Sequence, residues 1–335
     1  MHTGDHRVPT VELAHRVTGS GPPLLLIAGT GYPGATWPPD LVDRWAQSCT
    51  VITFDHRGTG ASPATDDRYT TRLFAADALA LLERLGLESA HVLGHSMGGR
   101  VAQWMALDAP DRVRTLILAA SGPGQFDDTR PQTRGIPVAA AKGLIEQGYE
   151  GYLRGSIRRT FFTPEFAAEH PDRVEWLINA FWSNRPPLEH YLKHVAARQE
   201  HETTALLPQI RQPALVLVGD RDTHVGGTGS HWDQSRYLAE HLPDAEFRVI
   251  EGVRHGLFWS AFSVLTGIPF SKMILLPGSN RIENGPGAAA STPSGNRGSE
   301  RNRNVRLVKA TPAGRSRLPV NGSRRSIAWI AAASA

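Results

Sequence analysis

The stretch from His91 to Trp104 reads HVLGHSMGGRVAQW, and it decides the fold. It contains a G-x-S-x-G motif whose serine is Ser96, with glycines at positions 94 and 98. An apolar run of strand length, Ala90–Leu93, precedes the motif, and a helical pattern follows it until Pro110. A serine in a sharp strand-to-helix turn is the sequence form of a nucleophile elbow. We therefore predict that Ser96 is a nucleophile held in a strained turn, with the glycines allowing strand and helix to approach closely.

The rest of the chain alternates apolar strands with helices, which predicts an α/β fold with a mostly parallel, doubly wound sheet. Val11–Val17 is the candidate for an antiparallel edge strand. Ligands bind at the carboxyl ends of the strands in such a sheet. Because Ser96, Asp222 and His255 each follow a strand directly, we expect all three at one rim.

These features resemble the α/β-hydrolase superfamily, in the cap-bearing branch of serine hydrolases that includes esterases and lactonases. The resemblance covers roughly Val11 to Phe258 and includes a D-x-R-G-x-G-x-S loop at Asp55–Ser62. Asp55 and Arg57 are expected to bridge neighbouring loops. The resemblance implies a hydrolase core at residues 1–121 and 208–260. It also implies a helical cap inserted at 122–207, where the strand signals stop.

A serine hydroxyl needs a base to take its proton, and this base is usually a histidine held in one tautomer by a carboxylate. In this fold the acid and then the histidine follow the serine along the chain. The histidines after the acid are His224, His231, His241 and His255. His241 lies in a helical pattern, and the first two lie too close to the acid's own strand. His255 follows the last strand where the family keeps its histidine, and we predict it as the base.

The predicted acid is Asp222, which matches the family pattern G-x-x-D together with Gly219. The proline that often follows four residues later in the family is replaced by Gly226. Asp220, which lies nearer the strand end, remains the alternative. His95, beside the nucleophile, is interpreted as a packed elbow residue, with contact to substrate as the alternative.

The resemblance places an oxyanion hole at the backbone N–H groups of Thr30 and Met97. Ala28 stands where the family usually has a histidine, while the following Gly29 is kept. A backbone donor tolerates this change, because the main chain supplies the hydrogen bond. What braces this loop in place of the histidine stays open.

We predict a serine hydrolase that cleaves a carboxylic ester or related acyl bond of a small molecule through an acyl-enzyme. The serine excludes the epoxide hydrolases and haloalkane dehalogenases of this fold, which use an aspartate at the elbow. Lactonases, perhydrolases and C–C bond hydrolases share the triad and remain alternatives. A catalytically impaired binding protein also remains, because no amphipathic final helix follows Trp259. We expect no cofactor and no metal, since the chain has neither H-E-x-x-H nor paired cysteines.

The net charge of +4 hides a strong asymmetry along the chain. Residues from Gly256 onward contain 11 Lys or Arg and 2 Asp or Glu, against 25 and 30 before that point. A nucleic-acid partner would depend on the basic tail alone, and we expect none. The tail at 261–335 is expected to be disordered or foreign to the fold, because it offers little to bury.

The chain carries no signal that points away from the cytoplasm. The N-terminal MHTGDHRVPT lacks the apolar region of a signal peptide, and no apolar run is long enough for a membrane span. The single cysteine, Cys49, cannot form an internal disulfide. We therefore expect a cytoplasmic protein without membrane association, and the oligomeric state stays open.

Overall fold

The computed structural model describes residues 9–127, 134–223 and 230–261, together with the backbone of 305–308. The strands are β1 (His15–Thr18), β2 (Pro23–Ile27), β3 (Thr50–Phe54), β4 (Ala90–His95), β5 (Val113–Ala119), β6 (Ala214–Gly219), β7 (Ala245–Ile250) and β8 (Val305–Val308). The helices are α1 (Pro39–Trp45), α2 (Thr71–Arg84), α3 (Met97–Asp108), α4 (Val138–Phe161), α5 (Pro164–Glu169), α6 (Pro171–Ser183), α7 (Leu188–Gln199), α8 (His231–His241) and α9 (Leu257–Ser260).

The strands form one sheet in the order β1-β3-β2-β4-β5-β6-β7-β8. Strands β2 to β8 are parallel to their neighbours, and β1 pairs antiparallel with β3. The prediction of a mostly parallel, doubly wound sheet is therefore confirmed. The edge strand is shorter than the predicted Val11–Val17, because pairing with β3 begins only at His15.

Two apolar cores lie on opposite faces of the sheet, as the two-residue period of a strand requires. In β2, Leu24 and Leu26 contribute to one core, and Leu25 and Ile27 contribute to the other. The second core also contains the apolar faces of α2, α3 and α8. The first contains those of α1, α6 and α9, so the helices after β5 share a core with the sheet.

Four helices, α4 to α7, lie in the chain between β5 and β6, within the region predicted as a cap. The first of them, α4, bends at Gly148, whose φ is 66°. The ring of Tyr191 on α7 packs over Gly31, where a Cβ atom would lie 2.8 Å from a ring carbon. This inserted segment therefore contacts the loop that follows β2.

The predictions for the tail at 261–335 lie almost entirely outside the described residues. The exception is β8, which pairs with β7 in parallel and extends the sheet by one strand. Among the helices of the described ranges, none is both long and apolar enough to cross a membrane.

The turn between β4 and α3 leaves no space for side chains at its two glycines. A Cβ atom on Gly94 would lie 2.2 Å from the carbonyl oxygen of Gly98. A Cβ atom on Gly98 would lie 2.1 Å from the carbonyl oxygen of Ile27 in β2. Both obstacles are backbone atoms, which cannot rotate away. The spacing of the elbow glycines thus sets how closely α3 packs on the sheet.

Buried histidines form a second feature of the interior. His194 on α7 donates from Nε2 to the carbonyl oxygen of Arg57 over 2.9 Å, and its Nδ1 has no partner among the described residues. Burial lowers the pKa of His194 to about 3, with the neighbouring His56 adding to the effect. Burial likewise lowers the pKa of His56 to about 4. Both rings are therefore neutral at pH 7.

We expect Gly98→Ala to lower the free energy of unfolding by about 3 kcal/mol, the upper end of the range that is typical of overpacked cores. The reason is that α3 and β2 would have to separate to admit the methyl group. Thermal unfolding followed by circular dichroism measures the change. Gly151→Ala is the control, since Gly151 is exposed on α4 and alanine there gains about 1 kcal/mol of helix propensity. Equal unfolding temperatures for the two variants would contradict this interpretation.

The unfolding temperature should fall as the pH is lowered from about 6.5 toward 4. In this range histidines of the unfolded chain bind protons, whereas the buried histidines of the folded protein stay neutral. A folded pKa below the unfolded one means that stability is complete above about pH 6.5 and is lost as the pH falls. His194→Gln should make this slope shallower. His241→Gln, at an exposed position, should leave the slope unchanged. Parallel slopes for His194→Gln and the wild type would refute the assignment.

Candidate active site

Ser96 occupies the strained position that the elbow motif predicts. It lies between β4 and α3 with φ 57° and ψ −118°, in the region that non-glycine residues rarely adopt. Such a conformation costs about 1–3 kcal/mol and persists only when its surroundings hold it. Here the N–H of Ser96 donates to the carbonyl of Ala119 over 2.8 Å. Its carbonyl accepts from the hydroxyl of Ser121 over 2.8 Å and from the N–H of Gly99 over 3.1 Å.

Asp222 and His255 are in direct contact. Asp222 follows β6 by three residues, and His255 lies in the loop after β7. Nδ1 of His255 donates to Oδ2 of Asp222 over 2.8 Å, and both side chains are buried. Because the Nδ1 proton is held in this way, Nε2 of His255 is left as the basic nitrogen.

A second histidine, His231, binds the other oxygen of the same carboxylate. Nδ1 of His231 donates to Oδ1 of Asp222 over 3.1 Å, and its ring stacks on that of His255 with centroids 4.2 Å apart. The sequence predicts no catalytic role for His231, because this residue follows the strand of the acid too closely. The available signal was Ser230, whose side chain caps α8 and so places His231 in the first turn of a helix beside that strand end.

The electrostatics of the site follow from this arrangement. Burial would raise the pKa of Asp222, but the two histidines and their hydrogen bonds outweigh it and lower the pKa below its usual value. Burial lowers the pKa of His231 to about 4, against the opposing effect of Asp222. The carboxylate is therefore ionised at neutral pH, while His231 is neutral and donates a single N–H.

Asp220, the alternative acid, has a different role. Its Oδ1 accepts from the backbone N–H of Gly252 over 2.7 Å and from that of Val253 over 3.2 Å. It therefore braces the loop that leads to His255. The structure thus brings Asp222, and not Asp220, to His255.

The loop of His255 is also bound by the last turn of α4. The N–H of His255 donates to the carbonyl of Thr160 over 3.3 Å, and that of Gly256 donates to the carbonyl of Phe161 over 3.0 Å. The guanidinium of Arg254 donates to the carbonyl of Arg159 over 2.6 Å. These contacts satisfy carbonyls that the end of a helix leaves unpaired. The inserted helices thereby position the predicted base.

His95 packs against the opposite side of His255. Its Nε2 donates to the backbone carbonyl of His255 over 2.9 Å, and the two ring centroids are 4.7 Å apart. Burial, followed by the charge of His255, lowers the pKa of His95 well below its usual value. His95 is thus a neutral side chain that fixes the loop, in agreement with its interpretation as a packed elbow residue.

The predicted oxyanion loop forms a tight turn after β2. The N–H of Tyr32 donates to the carbonyl of Gly29 over 3.1 Å, and Gly31 has φ +70°, which makes residues 29–32 a type II turn. In the described ranges, no acceptor pairs with the backbone N–H of Thr30 or of Met97. Both groups are therefore available to a ligand.

His56 braces this loop, a role that the sequence did not assign to any residue. Nε2 of His56 donates to the carbonyl of Ala28 over 3.2 Å. Asp55 adds a second brace, accepting from the N–H of Gly34 over 2.7 Å and from that of Ala61 over 2.9 Å. Arg57 donates to Asp77 of α2, with an Nε–Oδ2 distance of 2.6 Å, and to the carbonyl of Pro9 in the N-terminal segment over 3.0 Å. The expected bridging of loops by Asp55 and Arg57 is therefore observed.

One cavity of about 700 Å³ contains Ser96, His255 and the oxyanion loop in its walls. Its opposite wall is formed by α4 and α7, with Leu153, Ile157 and Val195 as apolar lining. This volume lies within the about 300–1,000 Å³ typical of small-molecule sites.

The carboxylate and the two histidines also form a group that could bind a cation. Their nearest ligand atoms, from Asp222, His231 and His255, all lie within 4.8 Å of one another. The nitrogen–oxygen distances of 2.8 and 3.1 Å between the two histidines and Asp222 are those of hydrogen bonds. As observed, the group is a hydrogen-bonded array.

The chain is similar in sequence to proteins that are named as hydrolases. The chain is 28% identical over 254 residues to a protein of Pseudomonas syringae pv. syringae named "Putative carbamate hydrolase RutD", covering 76% of this chain and 92% of that one. Over 135 residues it is 38% identical to the rhodomycin D methylesterase DnrP of Streptomyces peucetius, covering 36% of this chain and 45% of that one.

Among solved structures, a thermophilic esterase from Thermogutta terrifontis superposes with a TM-score of 0.65 at 25% identity, covering 77% of this chain and 91% of that one. A family model described as alpha/beta hydrolase fold matches residues 22–262. The chain therefore belongs to the α/β-hydrolase family.

Proposed function

We propose that this protein is a serine hydrolase that cleaves a carboxylic ester through an acyl-enzyme formed on Ser96. The observation that carries the proposal is the 2.8 Å hydrogen bond from His255 to the buried carboxylate of Asp222, in the same cavity as a serine with strained backbone angles. A histidine oriented by an ionised carboxylate is the base that a serine hydroxyl requires.

The proposed reaction has two halves that use the same proton carrier. Nε2 of His255 takes the hydroxyl proton as Oγ of Ser96 attacks the carbonyl carbon of the ester. The oxyanion receives hydrogen bonds from the N–H groups of Thr30 and Met97. His255 then gives the proton to the departing alkoxide, which leaves the acyl group on Ser96. In the second half, water attacks the acyl carbon as His255 takes its proton, and His255 then returns this proton to Oγ of Ser96 as the carboxylic acid leaves.

His231 has a positioning role in this scheme. Its N–H donates to Oδ1 of Asp222, while His255 donates to Oδ2. This second hydrogen bond keeps the carboxylate ionised and oriented toward the base. A carboxylate is most stable inside a protein when each of its oxygens accepts a hydrogen bond.

Carbamates are a second candidate substrate class, because the relative in Pseudomonas syringae carries the name of a carbamate hydrolase. A carbamate presents the same carbonyl to Ser96 and requires the same oxyanion donors. Parallel assays with alkyl esters and alkyl carbamates distinguish the two classes by their kcat/KM values.

Ser96→Ala and His255→Ala should each reduce turnover by about 10⁴–10⁶-fold, and the double variant should be little worse than either one. Asp222→Asn should cost about 10⁴-fold, because it changes the tautomer of His255. Asp220→Asn is the matched control and should retain far more activity. Stopped-flow assays on an activated ester provide the rates, and a fluorophosphonate probe should label only proteins that keep Ser96. An unlabelled wild type would favour the catalytically impaired alternative.

Thr30→Pro should slow acylation by roughly 10²–10³-fold, because it removes one oxyanion donor. The turn should survive, since proline is favoured at the second position of a type II turn. Thr30→Ala is the control: it removes the same side chain, keeps the N–H, and should retain nearly full activity. Single-turnover acylation rates decide the outcome. If both variants lose activity equally, the side chain of Thr30 rather than its N–H carries the effect.

A further inference from the structure

The cavity has a strong excess of positive side chains. Its lining includes four arginines, Arg159, Arg198, Arg221 and Arg254. Among the described residues that line it, none is an aspartate or a glutamate. A cleft with one sign of charge and apolar walls concentrates ligands of the opposite sign. The proposed hydrolase function does not by itself account for this charge.

Three of the four arginines have an ordinary explanation. The side chains of Arg159 and Arg221 are exposed, where water solvates a guanidinium. Arg254 donates to the backbone carbonyls of Arg159 and Phe162, over 2.6 and 3.3 Å. It therefore serves the packing of the loop on α4. Arg198 has neither explanation.

Arg198 is a partly buried cation without a counter-ion. Its Nε is buried and has no hydrogen-bond partner, and no carboxylate forms an ion pair with it in the described parts of the chain. The neighbouring charge is another cation, Arg100, whose guanidinium donates to the backbone carbonyl of Arg198. Burial and the nearby Arg198 lower the pKa of Arg100 to about 9. Partial burial of an unpaired charge costs free energy, so the half-buried guanidinium of Arg198 favours an anionic partner.

The position of Arg198 relative to the reacting centre follows from the helix period. Tyr191, Val195 and Arg198 are spaced by four and three residues, so they share one face of α7, and all three line the cavity. Tyr191 packs over Gly31 of the oxyanion loop. Arg198 lies seven residues further along, about 10 Å at the rise of an α-helix. Arg198 therefore lines the cavity about two helical turns away from the residue that contacts the oxyanion loop.

We propose that Arg198 binds a carboxylate at the distal end of the substrate, so that the enzyme prefers esters that carry a second, free carboxylate. This inference rests on the proposed function for the bond that is cleaved. The planar guanidinium presents paired N–H donors that match the two oxygens of a carboxylate. The phenols of Tyr152 and Tyr191, in the same cavity, can add further donors to the anion.

Matched ester pairs test the preference. Monoethyl adipate and ethyl hexanoate differ by a carboxylate on the acyl side, and 4-acetoxybutanoate and butyl acetate differ by one on the alcohol side. We expect a roughly 10- to 100-fold higher kcat/KM for the charged member of one pair, the range of a charge-assisted hydrogen bond. The pair that shows the preference identifies the side of the substrate that reaches Arg198.

Variants locate the preference on Arg198. Arg198→Met should abolish it, mainly by raising KM for the charged ester, while the rate on the neutral ester changes little. Arg198→Lys should keep part of the preference, because lysine retains the charge but lacks the paired N–H donors of the guanidinium. Arg221→Met removes the same charge from the exposed rim and should reduce the preference by less than about fivefold. Equal losses on charged and neutral esters in Arg198→Met would overturn the proposal.

A binding experiment separates this inference from the proposed function. Calorimetric titration of monoethyl adipate into Ser96→Ala needs no turnover, and its affinity should fall when Arg198→Met is added. Binding that depends on Arg198 in a protein that cleaves no ester would support the carboxylate site and reject the hydrolase. Ester cleavage without binding that depends on Arg198 would support the hydrolase and reject the carboxylate site.

The thermal stability of the ligand-free variant checks that it folds and adds an independent criterion. Removing an unpaired cation should leave the unfolding temperature of Arg198→Met unchanged or higher. A lower unfolding temperature in both Arg198→Met and Arg198→Lys would indicate a structural role and would count against the proposal.

Discussion

A buried carboxylate between two imidazole rings holds the candidate site together. Asp222 comes from the end of β6, His231 from the start of α8 and His255 from the loop after β7, so three segments meet on one charge. Removing a carboxylate from water is costly unless its oxygens find donors, and here each oxygen has one. The same two hydrogen bonds that stabilise the charge also fix which nitrogen of His255 is basic. Stability and proposed chemistry therefore depend on one set of contacts.

Braces of the same kind surround this centre. His56 holds the predicted oxyanion loop, Asp220 holds the loop before His255, and His95 holds the backbone of His255 from the elbow side. Each uses one side chain to satisfy backbone groups of a neighbouring loop, which loops at a sheet edge need. The geometry of the proposed reaction is thus maintained in part by residues outside the cavity, such as His56 and Asp220.

The sequence predicts the parts of this protein that are decided locally. The elbow, the strands and the order of Ser96, Asp222 and His255 are all visible in short patterns, because strained turns and buried parallel strands restrict the residues within them. The interaction of His231 with Asp222 could not be predicted in this way, since it depends on how a helix starts after a loop. The replacement of a family histidine at Ala28 by a brace from His56 also escapes local patterns, as two distant strands must pair first. For the same reason Arg198 became informative only in the folded structure, where no acid of the described residues pairs with it.

The hydrogen bonds from the end of α4 to the backbone of His255 and Gly256 have a consequence for the order of events in a catalytic cycle. If the second half of α4 moved away to admit a substrate, the carbonyls of Thr160 and Phe161 would leave the loop of His255. The predicted base would then lose these hydrogen bonds for as long as the site was open. Entry and reaction would then be separated in time. The bend at Gly148 divides the helix, and both of these hydrogen bonds come from the half after the bend. Displacing the half before the bend would leave the hydrogen bonds to His255 and Gly256 intact.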